Sequence, residues 1–227
     1  MDPIISPEMG KWLKMFAGRV QERFANRVVC IGLQGSHARG EARADSDIDL
    51  VVILDRLDAA DIAQYREIVD GMPQHEKMCG FLAGREELEN WDRADLFQFC
   101  RDTLPVVGSL GEIAEKVQPE DIGRAVRIGA CNLYHMCVHN MLYEKDPEIL
   151  RGLYKSAVFT LQAKHCLETG CYLRQHAQLR EQLRGADREL LLCAEKWRAG
   201  QALDGQAFAA DSVFLFEWAG RVIRELR

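Results

Sequence analysis

The feature that most limits the folds open to this chain is a small-residue turn between two apolar runs, with paired aspartates at the mouth of the second. Residues 28–33 lead into Gly35-Ser36-His37-Ala38-Arg39-Gly40, and Ser46-Asp47-Ile48-Asp49-Leu50 opens the run 48–54. Short apolar runs bounded by glycine and polar residues predict two strands joined by a turn and a loop. Asp47 and Asp49 stand at i and i+2. On a strand that spacing sends both side chains to one face with Cα atoms about 6.6 Å apart, so two carboxylates can share a divalent ion or bridge two. The turn supplies the complement. Gly35 lets a backbone approach phosphates closely, Ser36 offers a hydroxyl and an N–H, and a helix starting near Ser36 aims its first amides at an anion.

Around this unit the composition is that of an ordinary globular protein. With 227 residues and 48% hydrophobic content, the chain can build one large core or two small ones. A net charge of -6 disfavours sequence-independent binding to long nucleic acid, which needs a basic stripe, and suits a cationic partner. The first residues lack a basic segment followed by a long apolar one, and no run approaches the roughly 18 apolar residues of a membrane span, so a cytoplasmic location is expected. The eight cysteines are scattered without a Cys-x-x-Cys pair and are expected to be free thiols. Cys131, His135 and His139 fall on one helix face, but a single straight helix rarely closes a tetrahedral metal site, so they are taken as core and groove residues.

Along the chain, Ser6-Pro7 caps a helix over 7–25 that carries Trp12, Leu13, Phe16, Val20 and Phe24 at helical spacing. Residues 58–69 predict a crossover helix, 76–82 a third strand, 104–108 a last short strand and 110–117 a brief helix. Beyond Pro119 the pattern changes to long helical periodicity. Helices are predicted from Pro119, from Pro147 to Gly170, and over 175–183, 186–199 and 207–226. The expected organisation is therefore an α/β (α+β) domain with a small mixed sheet, residues 1–118, followed by an all-α helical bundle, residues 119–227.

Gly35-Ser36, Gly40 and Asp47-Ile48-Asp49, in that order between two apolar runs, resemble the signature of the DNA polymerase β-like nucleotidyltransferase superfamily. A small transferase domain followed by a bundle resembles the bacterial antibiotic nucleotidyltransferases of the aminoglycoside type. The resemblance implies transfer of a nucleoside monophosphate, AMP from ATP, to a hydroxyl of a small acceptor, with release of pyrophosphate. Asp47 and Asp49 would then hold Mg2+, while Gly35, Ser36 and Ser46 would meet the triphosphate. Arg39 either positions phosphate or pairs with Glu41, and Lys155 is either a point charge for the triphosphate or an exposed helix lysine.

The family usually carries a third carboxylate on the strand beside Asp-x-Asp, and Glu76 is the candidate. If Met78 and Gly80 continue its face, it can point across to the aspartates as a base or ligand; otherwise it lies in a solvated loop with Lys77, and His75 is the weaker alternative. A homodimer follows from family analogy alone. The rival expectations are an antitoxin-type transferase that adenylylates a protein, a nucleotide-binding regulator without turnover, and RNA tailing, which the acidic balance disfavours.

Overall fold

The computed structural model describes residues 5–200 and 205–226. The chain divides into two compact units, Met1–Val117 and Gln118–Arg227.

In the first unit, helix α1 (Pro7–Phe24) starts where the Ser6 hydroxyl accepts a hydrogen bond from Met9 N, with proline at the first turn, where its missing N–H costs nothing. Its apolar stripe, Trp12, Leu13, Phe16, Val20 and Phe24, is buried. A 3-10 turn leads to β1 (Val28–Leu33), followed by the one-turn helix α2 (Gly35–Arg39) and β2 (Ile48–Leu54). Helix α3 (Ala59–Asp70) opens on a reciprocal cap: Asp58 accepts from the amides of Ala60 and Asp61, and Asp61 accepts from Asp58 N. The unit continues through β3 (Met78–Gly84), α4 (Arg85–Glu89), α5 (Arg93–Asp102), β4 (Leu104–Gly108) and α6 (Gly111–Ala114).

The four strands make one mixed sheet in the order β3-β2-β1-β4. β1 is antiparallel to both β2 and β4, and β3 lies parallel to β2 because α3 carries the chain back across the sheet. Side chains alternate between two apolar layers. Leu50, Val52 and Leu54 of β2 join Ile31, Leu33 and the α1 stripe, whereas Val51 and Ile53 join Cys30, Leu88, Leu96 and Ile113 on the opposite face. The arrangement matches the expected small mixed sheet. Two details differ. The third strand begins at Met78, with His75–Lys77 forming a 3-10 turn before it, and residues 93–102, whose mixed apolar and charged pattern gave no clear element, form a helix capped by Asp92.

The second unit is helical: α7 (Pro119–His139), a π-helical turn at Asn140–Glu144, α8 (Pro147–Thr169), α9 (His176–Gln182), α10 (Gly185–Arg198) and α11 (Gly205–Glu225). Helix α7 packs on α8 and α11, and α8 also packs on α10. The sequence signals at the ends of α8 act as expected. The Asp146 carboxylate accepts from Glu148 N, and Gly170 closes the helix at φ +75°. Buried indole N–H groups find carboxylates, Trp197 on Asp211 at 3.0 Å and Trp218 on Asp187 at 2.8 Å. No helix among the described residues is long and apolar enough to cross a membrane.

Candidate active site

Strand β1 ends at Gln34, whose backbone N donates to Asp49 O at 2.8 Å, so the β1–β2 ladder runs up to the second aspartate. The Gln34 side-chain amide donates to Phe99 O and Thr103 Oγ1, which fastens the turn to the end of α5. Gly35 follows at φ +64°, a backbone state that costs glycine little. It is also the point of closest approach. A Cβ at residue 35 would stand 1.9 Å from Asp49 Oδ2, so the Asp49 carboxylate occupies the space that any side chain would take.

The first amides of an α-helix have no acceptor within the helix, so the start of α2 presents N–H groups beside this carboxylate. Gly40, at φ +72°, ends the turn, and Glu41 N donates back to Ser36 O. Asp47 is exposed just before β2 and Asp49 is partly buried within it, between the buried Ile48 and Leu50. Asp47 and Asp49 are the hard oxygen donors here that could hold a divalent ion. Among the described residues no group of three or more His, Cys, Asp or Glu is arranged to hold a metal. Magnesium does not need one, since it commonly takes one or two carboxylates plus substrate phosphates and water.

The other residues expected at the site divide into several groups. Ser36 lies in the first turn of α2, and the Ser46 hydroxyl accepts from Arg43 N at 2.9 Å, closing the loop that delivers Asp47. Arg39 Nε donates to Glu41 Oε2 at 3.1 Å. Lys155 is an exposed residue of α8 in the second unit. Glu76 sits in the 3-10 turn ahead of β3, 64% exposed, with its carboxylate 3.9 Å from His75 Nδ1.

The sheet register corrects the face assumed for Glu76. Asp49 pairs with Cys79, while Met78 and Gly80 pair with Ile48 and Leu50, so the face carried by Met78 and Gly80 is the opposite one from Asp49. Cys131 and His135 are exposed on α7.

Two neighbours had no part assigned to them from the sequence. His37, on α2, is partly buried; desolvation lowers its pKa, the Asp49 carboxylate raises it and Lys77 lowers it, with a net downward shift. Lys77 Nζ donates to Ala44 O at 2.7 Å, tying the turn before β3 to the loop before the aspartates. The only sequence signal for His37 is its position directly after Gly35-Ser36. Nothing in the pattern 75–78 marked Lys77, because its contact lies across the fold.

The family model of the nucleotidyltransferase domain matches residues 13–93, from α1 to the start of α5, and so includes the turn and both aspartates. No curated protein matches the chain by sequence. Among solved structures, the spectinomycin adenyltransferase AAD(9) from Enterococcus faecialis, crystallised with ATP and spectinomycin, aligns with a TM-score of 0.59 at 13% identity. The alignment covers 94% of this chain and 98% of that one, so the likeness extends through the helical unit as well as the sheet. Residues 13–93 thus match the nucleotidyltransferase domain, and the fold over nearly the whole chain resembles that of a spectinomycin adenyltransferase.

Proposed function

We propose that this protein is a magnesium-dependent nucleotidyltransferase that moves AMP from ATP to a hydroxyl of a small acceptor and releases pyrophosphate. The observation that carries the reading is the Asp49 carboxylate seated in the space left by Gly35 at the start of α2, with Asp47 exposed two residues ahead, just before β2. Asp47 and Asp49 hold the ion, which when bound neutralises charge on the triphosphate. The backbone of Gly35 and Ser36 cradles the phosphates, with Ser46 and Arg39 holding the loop and turn on either side.

The acceptor hydroxyl attacks the α-phosphorus in line, the bond to the β-phosphate oxygen breaks, and the hydroxyl proton passes to a base. Glu76 is the base this reading offers, from a turn at the mouth of β3. The solved relative's acceptor, spectinomycin, supports a small antibiotic-like acceptor in place of a protein. The net charge of -6 favours a cationic one. Antibiotic resistance, a cytoplasmic location, acceptor binding by the helical unit and homodimerisation belong to the same proposal.

The test is incubation with labelled ATP, Mg2+ and a panel of aminoglycosides, aminocyclitols and lincosamides, followed by chromatography of the products. A labelled, mass-shifted acceptor supports the reading. ATP bound without turnover against the whole panel, with label appearing only on protein, moves the reading to a protein-adenylylating enzyme.

A further inference from the structure

The parallel register of β2 and β3 puts Cys79 directly beside Asp49. Residues paired across neighbouring parallel strands share a face of the sheet and stand about 5 Å apart. The strands are pressed together at this point: a Cβ on the next residue, Gly80, would lie 2.2 Å from Leu50 O. Farther along β3 the same face becomes apolar. Phe81 packs against Phe99 at 4.7 Å and edge-on against Trp91 at 5.5 Å, and Ala83 is buried. Cys79 is exposed, so it is the residue of this face that remains open beside the aspartates.

No residue of β3 on the Asp49 face is a carboxylate, since that face carries Cys79, Phe81 and Ala83. The thiol is also not grouped with Asp47 and Asp49 as a third ligand. Resting on the nucleotidyltransferase reading, we propose that Cys79 is the β3 wall of the reaction site, within reach of bound nucleotide, and that the carboxylates holding the ion come from the β2 edge alone. The site on that side is lined by a soft, alkylatable thiol, and a longer acidic side chain at position 79 would extend to the ion.

The proposal is tested by alkylation with iodoacetamide, following the Cys79 peptide by mass spectrometry with and without Mg–ATP, while equilibrium dialysis measures nucleotide binding separately. At about ten times the Mg–ATP dissociation constant, alkylation of Cys79 is expected to slow about tenfold in the wild type. In Asp49→Asn the same addition is expected to leave the rate unchanged. In parallel, Cys79→Glu is expected to bind Mn2+ about fivefold more tightly than the wild type, read by electron paramagnetic resonance, because a carboxylate two atoms longer is a hard ligand beside Asp49.

ATP that binds by dialysis without protecting Cys79 overturns this inference and leaves the transferase reading standing. A folded Cys79→Glu protein with unchanged Mn2+ affinity overturns it as well. Absence of ATP binding altogether overturns both.

Discussion

At the scale of single residues, Gly35 and Asp49 form one unit, because the absence of a side chain at the first is what makes room for the carboxylate of the second. Gly35→Ala therefore acts in two ways. A residue with a Cβ at φ +64° costs about 1–2 kcal/mol of stability, and the displaced carboxylate costs transfer activity about a hundredfold, as a 1 Å error at a reacting centre can. Thermal unfolding and pyrophosphate release measure the two separately, and an active Gly35→Ala enzyme would contradict the packing argument. Glu76 is the residue whose part depends on substrate. As the base, Glu76→Gln lowers the transfer rate about a hundredfold or more with little change in Mg–ATP affinity; a fall in affinity for the ion would make it a ligand and contradict a site whose carboxylates come from the β2 edge alone. Equal rate and affinity in the variant would leave His75 to be tested in its place.

At the scale of elements, most boundaries were legible because local chemistry sets them. Ser6-Pro7, Asp58 and Asp146-Pro147 start helices, and Gly170 stops one. What was not legible depends on neighbours. The face of β3 follows from its register against β2, a tertiary choice, and a strand read as starting at Glu76 assigns Met78 and Gly80 to the wrong side. Helix α5 was hidden because its charged residues interrupt the apolar spacing of Ala94, Leu96 and Phe97. The Gly35 turn and the strand from Ile48 were legible, since the signals for both are local.

One tertiary clamp carries no local sequence signal, Arg27 at the entry to β1. Its guanidinium donates to both oxygens of the buried Asp61 on α3, at 2.8 and 2.7 Å, and to Asp55 after β2. The hydrogen bonds from Arg27 hold the Asp61 carboxyl down at about 2, against about 3.9 when unfolded. A depressed carboxyl pKa contributes stability that is complete above the unfolded value and is lost as pH falls through the folded one. Asp61→Asn is accordingly expected to lower Tm by several degrees at pH 7 and to flatten the acid limb between about pH 4 and 2. A variant with the wild-type acid limb would show that the clamp does not set it.

At the scale of the whole molecule, a sheet-based unit bearing the aspartates is joined to a helical unit, in a fold that a spectinomycin adenyltransferase shares along nearly its full length. The chain's net charge of -6 gives a prediction about the acceptor: binding of a cationic acceptor should weaken as salt rises from about 0.01 to 0.15 M, while a neutral analogue's should not, because screening acts only on charge. Calorimetric titration at the two ionic strengths checks this, and salt-insensitive binding would point to a neutral acceptor. The central claim is that the two aspartates beside the Gly35 turn carry nucleotidyl transfer. Its most direct test is pyrophosphate release from ATP and Mg2+, with an accepted substrate, by the wild type, Asp47→Asn and Asp49→Asn. The account predicts turnover by the wild type and a loss of about a hundredfold or more in each variant, with unchanged circular dichroism. Activity within a few-fold of wild type in either folded variant would contradict it.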